Sequence, residues 1–149
     1  MRRNSIPASL YRKILSTVPI LTVDVVIVHR GKFLLIKRAC PPAKNAWWTP
    51  GGRAFWGEKM ETAVQRKARS ETGISVKVDK FLDIVDFKFQ KGMWGIPVHT
   101  PSAFYLGHPV SRAPKIKFDK TSLDARWFEH IPKRCHRGLA RMLRKAGFK

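Results

Sequence analysis

The chain is poor in acid. Ten Asp and Glu stand against 30 Lys and Arg over 149 residues, a formal net charge of +20. It has two cysteines, Cys40 and Cys135, and neither has a close-spaced partner. That spacing excludes a disulfide framework and a thiolate zinc site, and both thiols are expected as packing residues in a reducing cytoplasm. No apolar run reaches the roughly 20 residues that span a bilayer, because charge interrupts even Val23 to Leu35. A membrane-spanning protein is therefore not expected. Internal repeats and low-complexity segments are lacking as well. What the chain does have is an apolar fraction of 44%, enough to build one core over residues 1–149 without staples. Disorder throughout is excluded on the same ground.

The charge is unevenly placed. Residues 1 to 60 hold 11 bases and 2 acids, residues 61 to 108 hold 7 and 5, and residues 109 to 149 hold 12 and 3. Both ends are basic and the middle is nearly balanced. Arg2, Arg3, Arg12 and Lys13 among serines superficially resemble a transit peptide. A short helix within residues 1–19 accounts better for Pro7 in its first turn, Leu10, Ile14 and Leu15 on one face, and Pro19 as its stop. At the other end, residues 132–149 read as a basic amphipathic helix, with Cys135, Leu139, Met142, Leu143 and Ala146 on one side. Its unneutralised Arg and Lys would suit an anionic partner such as nucleic acid, or simply a solvated outer face.

Between the ends, Leu21 to Val28 and Phe33 to Lys37 flank His29-Arg30-Gly31-Lys32, the pattern of a β-hairpin. A loop containing Pro41, Pro42, Asn45 and Pro50 follows and runs into Gly51-Gly52. Glu58 to Ser70 has apolar residues at helical spacing, acids first and bases last, with Gly73 as its stop. Ile74 to Val78, Phe81 to Phe89, Ala103 to Leu106 and Ala125 to Phe128 read as strands. Strands, one central helix, more strands and a last helix give an α+β fold, a mixed sheet flanked by helices.

The informative stretch is Gly52 to Ile74. Gly52 is followed by Glu58, Arg66, Glu71 and Gly73 at intervals that put a glycine turn beside a carboxylate-bearing helix. Glu71 lies three residues beyond Ala68 and seven beyond Val64, so it falls on the apolar, inward side. An inward carboxylate needs a cation. Mg²⁺ takes carboxylate, carbonyl and water oxygens and completes its shell with substrate phosphates. A glycine lets the backbone approach an ion, so the carbonyl of Gly51 or Gly52 is a second ligand candidate. Glu58 has a structural role open to it as a dipole-matching acid that pairs with Arg66.

This spacing resembles the Nudix box: Gly, five residues, Glu, seven residues, Arg-Glu, an apolar residue, any residue, Glu-Glu, any residue, Gly, apolar. The resemblance implies a Nudix-type α/β/α arrangement. Two carboxylates of the pattern are replaced, by Lys67 and Ser70. The same two losses, with PILTVDVVIV at 19–28, GKFLLIKR at 31–38 and WTPGGR at 48–53, resemble the GDP-mannose mannosyl hydrolase branch, which cleaves the sugar carbon–oxygen bond with one Mg²⁺. That branch implies Gly51 carbonyl and Glu71 as metal ligands for Mg²⁺, or Mn²⁺ in its place. It implies Arg38 and Arg53 on the diphosphate, Asp24 near the sugar, and Gly52, Glu58, Arg66 and Gly73 as structural members of the motif. A homodimer is the branch's usual state.

The branch also asks for an adjacent Gln and His before its last strand, and here Thr121 and Ser122 stand in those places. Neutral hydroxyls are poor bases, and general-base catalysis typically contributes roughly 10² to 10⁴ in rate. Asp119, Asp124, His99 and His108 are the substitutes on offer. Three expectations follow: a Mg²⁺-dependent hydrolase of nucleoside-diphosphate sugars, a pyrophosphatase attacking phosphorus of another nucleotide derivative, or a nucleic-acid-binding protein on the same fold.

Overall fold

The computed structural model describes residues 5–149; Arg2 and Arg3 of the basic N-terminus lie outside the described residues. The helix expected near the start is α1, Ala8–Thr17, with Pro7 at its N-cap rather than inside its first turn. The hairpin forms as its sequence dictates. Strand β1, Thr22–His29, turns back into β2, Lys32–Arg38, through Arg30 and Gly31, at φ 49° and 75°. Two successive positive φ values match the right-handed twist of the flanking strands, and Gly31 meets that requirement without strain.

The Trp-Pro-Gly segment read as a loop contains two short strands, β3 (Trp47–Trp48) and β4 (Gly51–Arg53). The central helix α2 spans Met60–Thr72, two residues later than its apolar spacing suggests. Glu58 stays in the preceding loop because its carboxylate accepts the Phe55 amide and the Arg66 guanidinium. Gly73 closes the helix in the left-handed region, at φ 73°. The next two expected strands are one, β5, Val76–Phe89, whose register shifts twice, between Val78 and Lys80 and between Phe81 and Asp83. Bulges of this kind interrupt the side-chain alternation, which is why the pattern reads as two pieces. Strand β6 covers Val98–Pro109, longer than its apolar centre, since it is paired on both edges. Strand β7 is Ser122–Phe128. The last helix, α3, is Arg137–Lys145, shorter than residues 132–149, because a turn from Pro132 to Cys135 precedes it and His136 caps it by accepting the Gly138 amide.

The sheet runs β3-β2-β1-β6-β5, with β1 parallel to β6. One face carries α2: Val23, Val25 and Ile27 pack on Ala63, Val64 and Ala68. The other carries α3: Val26, Phe33, Leu35 and Phe104 pack with Leu139, Met142 and Leu143. This is the expected α+β arrangement, helices on both faces of a mixed sheet. Among the described residues no helix is long and apolar enough to cross a membrane. Burial pushes the half-buried Cys135 thiol up to about 11, while Cys40 is exposed.

One feature of this topology positions the site. Along a single edge, β1 pairs first with β4 through Thr22–Asp24 and later with β2 through Val28 and His29. The two partners diverge between these registers, and the cavity opens there. Because α3 closes the face beneath β1 and β2 with fully buried side chains, Leu143→Ala is expected to cost about 2–5 kcal/mol, read as a lowered urea midpoint.

Candidate active site

A cavity of about 350 Å³ lies where the strands part. Asp24 is at its floor, 5% exposed, and both carboxylate oxygens are occupied. Thr49 Oγ1 donates to Oδ1 at 2.7 Å and Ser102 Oγ donates to Oδ2. Asp24 is therefore neither an edge nor a solvent-facing residue. Burial pushes its carboxyl up to about 7, against the lowering effect of the two hydroxyl donors and of Arg38, with the Glu71 charge adding to the rise. Gly51 packs directly on it: a Cβ there would lie 2.5 Å from Asp24 Oδ1 and 2.4 Å from the Val23 carbonyl oxygen. Only glycine leaves room.

Glu71, from the last turn of α2, reaches the same place and is 7% exposed. Its Oε2 accepts the Gly51 amide at 3.0 Å. Gly51 can offer that amide because Val25 and Ala54 take the neighbouring ladder positions, so the Gly51 N–H and C=O both face away from β1. Oε1 is 2.6 Å from Lys67 Nζ, one helical turn earlier. The lysine stem crosses Gly52, which sits at φ 150°; a Cβ there would be 2.8 Å from Lys67 Cε and 3.2 Å from Nζ. The cation demanded by the inward carboxylate is thus the side chain that stands where the box pattern has Glu.

Two arginines line the cavity with Lys67. Arg38 is held at the end of β2 by its Nε, which donates to the Pro42 carbonyl at 2.7 Å. The Arg53 guanidinium lies 5.4 Å from the ring centres of both Tyr11 and Phe55. Phe55 is also covered by Arg66 at 3.7 Å. Arg66 forks onto Glu58 through Nε at 2.7 Å and Nη2 at 2.8 Å, and Nη2 also reaches the Arg53 carbonyl at 3.1 Å. The Arg66 donors hold the Glu58 carboxyl below the usual range. This pair holds the end of β4, which carries Arg53.

Several expected contributors lie elsewhere. His99 pairs with Asp86, His108 with Asp79 and Asp124 with Arg126, all outside the cavity. Asp119 accepts from the Thr121 amide and hydroxyl. Thr121 lines the cavity, whereas the Ser122 hydroxyl is buried and lacks a hydrogen-bond partner. Of the tryptophans, Trp48 lines the cavity while Trp47 packs on Phe128 and Trp56 is exposed. Phe87, Phe89 and Tyr11 form part of its wall and were not singled out by the sequence, where nothing distinguishes them from core residues. The basic end is partly engaged: Lys145 pairs with Asp83 at 2.7 Å, and Arg141 donates to the Ile84 carbonyl.

Residues 18–131 match the family model described as the NUDIX domain, most of the chain. The chain belongs to the Nudix family. Relatives include a low-salt glycan biosynthesis protein, Agl8, of Haloferax volcanii, 38% identical over 77 residues, 52% of this chain and 49% of that protein. An ADP-ribose pyrophosphatase of Methanocaldococcus jannaschii is 41% identical over 66 residues, 44% of this chain and 39% of that protein. The chain spans about half or less of the length of these curated relatives. Among solved structures, a MutT Nudix hydrolase from Burkholderia pseudomallei has a TM-score of 0.72 at 26% identity, over 86% of this chain and 98% of that one. A Nudix hydrolase from Nitrosomonas europaea shares the fold, with a TM-score of 0.69 at 22% identity over 87% and 88% of the two chains.

Nudix hydrolases generally use a divalent metal such as Mg²⁺. The residues of this Nudix site, as arranged, do not fit one. Among the described residues no three Asp, Glu, His or Cys side chains gather to hold an ion. Two acids meet at the glycine turn: Asp24 is occupied by Thr49 and Ser102, and the two oxygens of Glu71 already bind Lys67 and the Gly51 amide. A divalent ion there would have to compete with the Lys67 ammonium for the same carboxylate and would be repelled by it.

The raised Asp24 carboxyl gives the fold a pH signature. Folded chains keep a proton that unfolded chains release near the ordinary value of 3.8, so stability from this group is full below that pH and is lost as pH rises through about 7. Asp24→Asn removes the loss. Its stability relative to the parent is expected to grow between pH 4 and pH 7.5 by on the order of a few kcal/mol, measured by urea unfolding; parallel profiles would refute the assignment.

Proposed function

We propose that this Nudix protein hydrolyses nucleoside-diphosphate sugars, releasing nucleoside diphosphate and free sugar. The observation that carries the reading is the convergence of Arg38, Arg53 and Lys67 on one cavity whose floor is the buried Asp24. Three cations suit a diphosphate, and guanidinium adds forked donors that match its oxygens. As the sugar carbon–oxygen bond breaks, negative charge grows on the departing diphosphate, and fixed positive groups stabilise it more than the ground state. In this reading Asp24, held by Thr49 and Ser102, accepts from a sugar hydroxyl by exchanging one of these donors. The relatives named for glycan biosynthesis and for ADP-ribose pyrophosphatase support a nucleoside-diphosphate-linked substrate.

Water supplies the new oxygen: it adds to the sugar carbon and the nucleoside diphosphate leaves with the bridging oxygen. Attack at phosphorus would instead leave the bridging oxygen on the sugar side and put the water oxygen on phosphate. Hydrolysis of a nucleotide-sugar panel in ¹⁸O water, with Mg²⁺ and with chelator, separates the two, since label on the free sugar marks attack at carbon. Arg38→Ala is expected to lower kcat/KM about 10- to 100-fold, the worth of about 1.5–3 kcal/mol for a charged hydrogen bond. Glu71→Gln is expected to bring turnover to background. A panel left intact by folded protein in both conditions would end this reading.

A further inference from the structure

We propose that the Lys67 ammonium is a built-in cation that takes the place of a divalent ion, so that the site meets its diphosphate ligand without added metal. This rests on the nucleotide-sugar reading for the ligand, but not for the substitution of charge.

Three observations carry it. The ammonium is paired with the inward carboxylate at 2.6 Å, on the side of the glycine turn. The backbone is shaped around its stem: Gly52 lies at φ 150°, and any Cβ at that position would meet Lys67 Cε at 2.8 Å. A lysine held so is a positioned group, with its side chain 20% exposed, rather than a solvated one. Finally, Lys67 lines the cavity beside Arg38 and Arg53, where it would meet an incoming anion. A lysine ammonium has three donors. One is directed at Glu71, and the others are available to phosphate oxygens, as a compact point charge suited to that ligand.

The charge arithmetic agrees. Relative to the box pattern, Lys for Glu and Ser for Glu make this helix face more positive by three units. The Lys67–Glu71 pair is neutral on its own, whereas a cluster of carboxylates requires metal to approach a diphosphate at all. Glu71 then acts as a positioning residue: bound to the Gly51 amide at one oxygen, it fixes the ammonium with the other.

Mn²⁺ titration of the full chain followed by electron paramagnetic resonance tests the substitution without any substrate. The parent protein is expected to show no stoichiometric site. Lys67→Glu is expected to gain one, and Lys67→Glu with Glu71→Gln to lose it again. A stoichiometric Mn²⁺ site in the parent that disappears in Glu71→Gln would overturn the proposal. GDP is the probe for the ligand: its affinity, followed by tryptophan fluorescence, is expected to agree within about twofold in chelator and in Mg²⁺, and to fall at least tenfold in Lys67→Met. That substitution keeps the stem over Gly52 and serves if Lys67→Glu unfolds. A tenfold gain in GDP affinity on adding Mg²⁺ would overturn the proposal. If no nucleotide sugar is cleaved in either condition, the proposed activity falls, and the Mn²⁺ titration still decides the role of Lys67.

Discussion

A carboxylate buried at the end of α2 has to be neutralised, and everything about this site follows from how the chain does so. Glu71 is 7% exposed and faces a second buried acid, Asp24, whose own carboxyl rises to about 7 in consequence of burial. Two anions side by side in a dry site would be unstable. The chain answers with a lysine one turn away, two hydroxyl donors on Asp24, and a backbone amide from Gly51. The glycines at 51 and 52 are demanded by this crowding: one must pass Asp24 and the other must pass the Lys67 stem.

Much of this was legible in the sequence. The hairpin turn at Arg30-Gly31, the inward face of α2 and the stop at Gly73 are local matters of dihedral preference and periodicity, and the structure has them. The inward position of Glu71 follows from its spacing to Val64 and Ala68. So does its need for a cation, though spacing alone does not show which cation answers. Lys67 and Glu71 stand four residues apart, a distance at which helical side chains meet. The resemblance names Gly51 and Glu71 by position and is silent on that pairing, because a motif lists which positions are filled and not which neighbours compete for them.

The rest was hidden for physical reasons. The division of β1 between β4 and β2 is a long-range pairing that no local pattern encodes, and it is what buries Asp24 rather than leaving it at an edge. The bulges in β5 scramble its alternation. Phe87 and Phe89 face the cavity from that same strand, and an aromatic beside a cavity has the same signature in sequence as one inside a core.

The family stretch begins at residue 18, yet Tyr11 and Leu15 of α1 line the cavity, and Tyr11 stacks beneath the Arg53 guanidinium. One wall of the binding space is therefore furnished by a short helix that docks through Leu15, Tyr11 and Ile14 against Ile20, Phe89 and Val98. Whatever enters the cavity therefore meets residues from outside the family stretch as well as the charged floor.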